Sequence, residues 1–370
     1  MRELQFIRSG RLAWREKSAP TLNGPRDAIV RPFVASRCDG DTLPIHRPVS
    51  RAMQLGLRTG LIDPVVGSIC GPVPFRGPFG IGHECVAQVV AKGEEVTDLP
   101  LGQVVVVPWA VSCGSCRECL QGVTAKCSTT RAGALSAFGF GPASGPWGGM
   151  VADEFRVPYA DHLLVPVPDG VDPLRVAAAS DNLADAWRAV VPPLRERPGG
   201  SVLVVGGGGQ SIGLYAAGLA VRHGAELVDY VDDKPERRHI AEALGARVHR
   251  TIPGTYDIAV EASSHGSGVR NALRSLNPGG VCTAVGYYLA PTTRVPLMHM
   301  YATDATLRLG VSSVRPVLPD LLDFVARDGF PAETVTTLLA DWEDAPTAYA
   351  ARTTKLVLHR PPLDPDTIGS

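Results

Sequence analysis

Four cysteines crowd into CGSCRECLQGVTAKC, where Cys113, Cys116, Cys119 and Cys127 are separated by two, two and seven residues. Thiolates on a looped segment with that spacing can close a tetrahedral zinc shell. A bacterial iron–sulfur run would need its last cysteine after only three residues and a proline beyond it, which this segment lacks. Four thiolates leave no position for a substrate, so the expected zinc is structural and any chemistry must lie elsewhere.

A second chemical signal is GGGGQSIG, in which Gly206 and Gly208 follow the strand-like run SVLVV and Gly213 lies in a helical run. Glycines in that place let the backbone approach a pyrophosphate held at a helix amino terminus. Counted from Gly206 and Gly208, the third glycine of a G-x-G-x-x-G falls on Ser211, so the loop is longer than the usual fingerprint. Asp232 follows Gly213 by 19 residues, where a carboxylate accepts from both hydroxyls of an adenosine ribose. A 2′-phosphate there would meet the charges of Asp232 and Asp233, and NAD is expected in preference to NADP.

These groups need two kinds of scaffold. The first 165 or so residues are rich in glycine and proline and carry short valine runs such as VAQVVA and GQVVVVP, the texture of a loop-rich, mainly β domain. From Asp172 the chain turns to an Ala-rich helical stretch, VAAASDNLADAWRAV, and a Pro-rich link. Buried-strand candidates SVLVVG, ELVDYV, YDIAVEAS and GGVCTAVGYY follow, with SIGLYAAGLAVRHGA and ERRHIAEALGA as helices between the first of them. Such βα alternation builds a parallel, doubly wound sheet, so the fold class is α/β joined to a mainly β domain. The end closes in KLVLHR, a strand expected to pair back onto the first domain, giving boundaries of 1–180, 181–318 and 319–370.

Length supports the division, because 370 residues exceed what one hydrophobic core accommodates. A net charge of -1 gives no reason to expect nucleic acid or an anionic membrane as partner. No apolar run reaches membrane-span length, and MRELQFIRSGRLAWREK interrupts its apolar stretches with charge. Eight cysteines, half of them in one cluster and without a signal peptide, favour metal over disulfides and a reducing cytoplasm.

Three further groups complete a pattern: Cys38 in SRCDGD, His83 with Glu84 in GIGHECVAQVV, and Asp181 in AAASDNLADAW. With the cysteine lobe before and the nucleotide fold after, their order along nearly the whole chain resembles that of the zinc-containing medium-chain alcohol dehydrogenases. The resemblance implies a GroES-like catalytic domain, a Rossmann NAD-binding domain and a carboxy-terminal return. Cys38, His83 and Asp181 match the three protein ligands of catalytic zinc. Many members carry Cys at the third position, whereas those similar to glutathione-independent formaldehyde dehydrogenase carry Asp. Glu84 matches the acid behind the metal, and Asp41 the carboxylate that orients the His83 ring. Lys355 matches a basic residue that contacts the cofactor pyrophosphate, with an exposed strand lysine as the alternative. Two zinc ions per chain, NAD and a homodimer or homotetramer are implied, as is reversible hydride transfer between an alcohol or carbonyl and the cofactor. The alternative activity is a redox-neutral epimerase or dismutase with tightly bound NAD.

Several positions depart from the family pattern. Gly40 stands where a Ser or Thr hydroxyl usually relays the alcohol proton, leaving an ordered water or His46 for that task. Asp185 occupies a place where relatives carry Thr, and could touch a substrate hydroxyl or amine. Trp109, four residues before Cys113, matches an aromatic wall of the substrate pocket, and Phe140 and Trp147 lie in the Gly-rich stretch beyond the lobe. Cys38 and His83 are 45 residues apart, about twice the usual interval. The extra PVSRAMQLGLRTGLIDP spaces Met53, Leu57 and Leu61 as the apolar face of a short helix.

Overall fold

Parallel strands covered on both faces read as continuous apolar runs, which is why SVLVVG and ELVDYV are legible as strands. In the computed structural model, which describes residues 1–131, 133–364 and 368, Val202–Val205 and Val228–Val231 are buried throughout and pair residue for residue. They belong to a parallel six-stranded sheet in the order Arg247–His249, Val228–Val231, Val202–Val205, Tyr256–Glu261, Leu276–Ala284, Thr306–Arg308. Gln210–Arg222, Pro235–Ala243 and Gly266–Arg274 are crossover helices. Strand order reverses between Val202–Val205 and Tyr256–Glu261, and open α/β sheets bind their ligands beyond the carboxyl ends of the strands at such a reversal.

The Ala-rich stretch forms a helix only from Asn182, which runs to Glu196, while residues 176–181 are turns. Tertiary hydrogen bonds override the local propensity. The Ser180 hydroxyl accepts from Cys85 N at 3.0 Å and donates to Cys85 O at 3.1 Å, and Trp109 N donates to Ser180 O at 3.2 Å. Asp181 is thereby held at the head of the helix rather than along its face.

A seven-stranded sheet runs Leu338–Asp341, Leu356–His359, Ala28–Ser36, Glu84–Lys92, Val104–Val106, Val165–Pro166, with Phe155–Val157 also on Ala28–Ser36, and Arg11–Glu16, Arg2–Arg8 and Phe79–Gly80 form a third, smaller sheet. Leu356–His359, from KLVLHR, pairs antiparallel with Ala28–Ser36, as expected. Leu4, Phe6, Val30, Cys85, Val105 and Phe138 centre the core of this part. The chain divides into two compact units, one comprising Met1–Asp181, Ser313–Gly329 and the segment from Leu338 on, the other Asn182–Ser312 and Phe330–Thr337. The return thus begins at Ser313 rather than 319 and is interrupted, because the buried Phe330 packs against Gly218 in the parallel-sheet unit.

The long interval after Cys38 contains three α-helices, Thr42–His46, Ser50–Thr59 and Val65–Cys70. Met53 is buried and Leu57 half-buried as expected, but Leu61 is 73% exposed. The helix stops at Thr59 because Gly60 takes a left-handed cap, which turns Leu61 off the apolar face. Among the described residues no helix is long and apolar enough to cross a membrane.

At the carboxyl end of Tyr256–Glu261, Glu261 is fully buried and accepts from Ser263 N at 3.0 Å and from the hydroxyls of Ser263 and Tyr288. Burial outweighs these donors and pushes its carboxyl up to about 7. The folded pKa lies above the unfolded one, so the stability linked to this proton is present below the unfolded carboxylate range and is lost as pH rises through about 7. Denaturant titrations from pH 5 to pH 8 are expected to show the wild type losing stability relative to Glu261→Gln. Parallel curves for the two proteins would show that Glu261 does not hold this proton.

Candidate metal centre

Cys38 follows Ala28–Ser36 and caps the short turn Asp39–Asp41, its sulfur 3.4 Å from Gly40 N. His83 stands immediately before strand Glu84–Lys92. Gly82 precedes it at φ 94, and a Cβ there would lie 2.6 Å from Val151 Cγ2, so the approach to His83 requires glycine. With Asp181 at its helix head, the three donors lie within 4.8 Å of one another.

His83 is 2% exposed, and neither ring nitrogen has a hydrogen-bond partner. Nε2 is 3.4 Å from Asp181 Oδ2 and Nδ1 is 3.9 Å from Asp41 Oδ2, an oxygen that also lacks a hydrogen bond. Buried polar atoms left in that state cost roughly 1–3 kcal/mol each. A zinc ion on Nε2, with Asp41 drawn onto Nδ1, would satisfy all three atoms, and a thiolate, an imidazole and a carboxylate are donors zinc accepts. Electrostatics favours a cation as well. Burial and then Asp181, Asp41 and Glu84 push the Cys38 thiol well up, and burial pushes Asp41 to about 6. Burial opposes the His83 imidazolium, yet Asp41, Asp181 and Glu84 outweigh it and hold the ring at about 9.

Glu84 is fully buried and accepts from Ser36 Oγ at 2.5 Å and Lys355 Nζ at 2.6 Å. Lys355 also donates to Arg37 O at 3.1 Å and is itself fully buried. Neither role expected for Lys355 fits this position. Its ammonium neutralises Glu84 beside the metal ligands, because the register of Leu356–His359 on Ala28–Ser36 carries it to Arg37. Arg37, which the sequence reading passed over, is buried and donates to the carbonyls of Tyr349 at 2.5 Å, Ala351 at 2.8 Å and Thr353 at 3.0 Å. It thereby closes the carboxyl end of helix Ala345–Ala350.

Phe140 lies on the His83 ring with centroids 4.7 Å apart and on Trp109 at 5.5 Å. Trp147 points elsewhere, donating Nε1 to Ser136 Oγ at 2.9 Å and lying 6.3 Å from Phe138. His46 ends helix Thr42–His46, and burial followed by Arg37 and Arg352 holds its imidazole below the ordinary value, so it is neutral at pH 7.

The four-cysteine lobe forms its own group, with all sulfurs within 4.8 Å of one another and Cys116 and Cys127 3.8 Å apart. Burial alone would raise Cys113, but Thr129 and the amides of Ser115 and Cys116 outweigh it and lower the thiol to about 5, the thiolate form that zinc needs. Among the described residues no cysteine is in a disulfide.

In the parallel-sheet unit, Asp232 is buried and bidentate to Arg237, at 2.7 Å from both Nε and Nη2. Tyr230 Oη at 3.0 Å and Lys234 N at 2.8 Å complete its donors. Arg237 was also missed, although its place in the first turns of Pro235–Ala243 aims it back at the strand end. Gly206 permits this cluster, since a Cβ there would lie 2.6 Å from Tyr230 Oη. Gly208 N donates to Ser263 O at 3.1 Å and Gly209 N to Ala262 O at 2.7 Å, which ties the loop to the exit of the neighbouring strand. Gly213 is a packing position, with Val204 and Tyr230 side chains 3.5 Å from where its Cβ would stand. Asp185, expected at the substrate, is buried and ion-paired with Arg188, whose Nη2 reaches Gly310 O at 2.8 Å.

Comparison with known proteins agrees with this geometry. Residues 24–169 match the alcohol dehydrogenase GroES-like domain. A probable zinc-binding alcohol dehydrogenase of Mycobacterium tuberculosis is 28% identical over 297 residues, covering 76% of this chain and 73% of the relative. Glutathione-independent formaldehyde dehydrogenase of Pseudomonas aeruginosa is 34% identical over 173 residues, 45% of this chain and 42% of that protein. The structure of an alcohol dehydrogenase from Thermus sp. ATN1 superposes with a TM-score of 0.82 at 29% identity, covering 97% of this chain and 99% of the other.

Metal analysis after dialysis is expected to return about two zinc equivalents per chain, one for each donor group. Cys116→Ser, which opens the thiolate shell, should keep about one equivalent and melt at lower temperature. Normal melting of that variant together with lost turnover would exchange the two assignments.

Proposed function

Because the chain belongs to the zinc-dependent, medium-chain alcohol dehydrogenase family, we propose that it oxidises an alcohol, or reduces the matching carbonyl, with NAD(H) at a zinc held by Cys38, His83 and Asp181. The observation that carries this reading is the convergence of those donors within 4.8 Å around a buried imidazole whose nitrogens have no hydrogen bond. Bound there, zinc supplies a Lewis acid that lowers the pKa of a substrate hydroxyl toward neutrality, and NAD accepts the hydride.

The protein's own groups do the rest. Cys38, His83 and Asp181 would hold zinc with three protein donors and so leave room for substrate. Asp181 carries the same formal charge as a thiolate but would donate less to a bound zinc, which would acidify a substrate hydroxyl more than a Cys ligand would. Asp41 facing Nδ1 supports the tautomer that leaves Nε2 free as a donor. Glu84 is fixed behind the ligands by hydrogen bonds from Lys355 and Ser36. Gly40 has no hydroxyl, so the alcohol proton leaves through an ordered water or through His46. The first turn of Gln210–Arg222 presents amides to the pyrophosphate. Asp232, steadied by Arg237, favours ribose hydroxyls over a 2′-phosphate.

The reading includes assembly from copies of the chain, as a dimer or a pair of dimers. Thr306–Arg308 is the edge strand of the parallel sheet, and Leu297, Met298, Tyr301 and Leu309 near it are strongly exposed. A bare edge flanked by apolar side chains is stabilised by pairing. Sedimentation is expected to give a dimer or tetramer, and a stable monomer at micromolar concentration would remove this part.

A screen of primary, secondary, cyclic and amino alcohols with NAD and NADP side by side should show net NADH formation and a clear advantage for NAD. Turnover without net NADH would replace the dehydrogenase reading by a redox-neutral one. Asp181→Asn removes a charged ligand, so activity should fall by orders of magnitude with loss of one zinc, while Asp181→Cys should regain that zinc. An Asp181→Asn enzyme with two zinc equivalents and ordinary turnover would exclude Asp181 as a ligand.

A further inference from the structure

The interval between Cys38 and His83 packs against the segment that follows the four-cysteine lobe. Its last helix, Val65–Cys70, ends against the segment that carries Phe140. The last carbonyls of a helix have no partner within it, and here Ser68 O accepts from Ala134 N at 3.2 Å and Ile69 O from Ser144 Oγ at 3.1 Å. Gly71, just past the helix, lies against Ala143, whose Cβ is 3.6 Å from where a Gly71 Cβ would be. Residues 133–145 are thus tied at both ends to the insertion.

Between the ties, the segment is pressed onto the ligand strand. Gly139 N donates to Gly148 O at 2.7 Å, and Gly139, at φ 75, approaches the Gly82 carbonyl so closely that any Cβ would collide with it. That contact lets the next residue, Phe140, lie across the His83 ring and reach Trp109. Phe140 is half-buried, whereas the neighbouring Phe138 is entirely enclosed in the core. An aromatic ring held on a metal-ligating imidazole, yet left partly open, is a surface for an apolar group bound beside that metal.

We propose that the insertion between residues 47 and 76 is a specificity element: by anchoring residues 133–145 it holds Phe140, with Trp109, as an apolar wall that selects alcohols bearing a ring or branched hydrocarbon. The proposal rests on the alcohol dehydrogenase reading above. Polyhydroxylated alcohols are disfavoured, because hydroxyls placed against Phe140 lose water without gaining a partner. Phe140 acts by contact, and Ser144 acts through Phe140 as a positioning residue.

The test compares zinc-loaded wild type with Phe140→Ala, Phe140→Leu and Ser144→Ala. The ratio of kcat/KM for benzyl alcohol to that for ethanol is expected to fall roughly ten-fold in Phe140→Ala, mainly through KM, and less in Phe140→Leu. Ser144→Ala should shift the ratio in the same direction by about two- to five-fold with unchanged zinc content. Equal losses for both alcohols, or a ratio that does not move, would overturn the proposal. Calorimetric binding of benzyl alcohol separates this failure from that of the activity itself. If no alcohol reduces NAD, the dehydrogenase reading falls, while weaker benzyl alcohol binding by Phe140→Ala still supports the wall and unchanged binding refutes it.

Discussion

Acidic groups are packed together where little water reaches them. Cys38, Asp39, Asp41, Glu84 and Asp181 act on one another in and around the candidate zinc site, and most of them are buried. Such a concentration of negative charge is tolerable only with positive charge at matching depth. Lys355 meets Glu84, Arg37 stands beside Cys38, and His83 is flanked by Asp41 and Asp181. A divalent cation held by Cys38, His83 and Asp181 would supply the remainder.

That balance explains why the chain returns to its first unit. Lys355 sits at the start of the returning strand and Arg37 ties down three carbonyls of the segment just before it. Removing either would leave a buried charge or a set of carbonyls without its partner, and breaking a buried pair costs several kcal/mol, about 3–5. The ordering of the ligands and the closing of the sheet are therefore one event. The glycines at 82 and 139 belong to the same arrangement, since both permit backbone approaches that a Cβ would block.

The parallel-sheet unit solves a different problem with a similar device. Asp232 is enclosed at the end of its strand and its charge is met by Arg237 five residues on, so the carboxylate is oriented by its own helix. Gly206 makes room for that group, and the Gly208 and Gly209 amides tie the loop to the exit of the neighbouring strand. Glycine enrichment in this loop thus reflects close packing as much as ligand approach. The Asp185–Arg188 pair likewise keeps within one helix a carboxylate that by its sequence position was expected at the substrate.

Local signals determined much of this protein. The four-cysteine lobe was legible because its ligands lie on one short segment, and the parallel strands because burial on both faces leaves continuous apolar runs. Family order named Cys38, His83 and Asp181, residues whose donors do converge in space. Tertiary structure decided what depends on partners distant in sequence. Lys355 and Glu84 are 271 residues apart, and Arg37 and Tyr349 are 312 apart, so no local pattern could have joined them. Helix propensity ran through Ser180 and Asp181, but hydrogen bonds from Cys85 and Trp109 stopped the helix short. The difference is physical: periodicity and spacing record what a segment does with its own neighbours, whereas a buried charge takes its meaning from whichever distant group the fold sets against it.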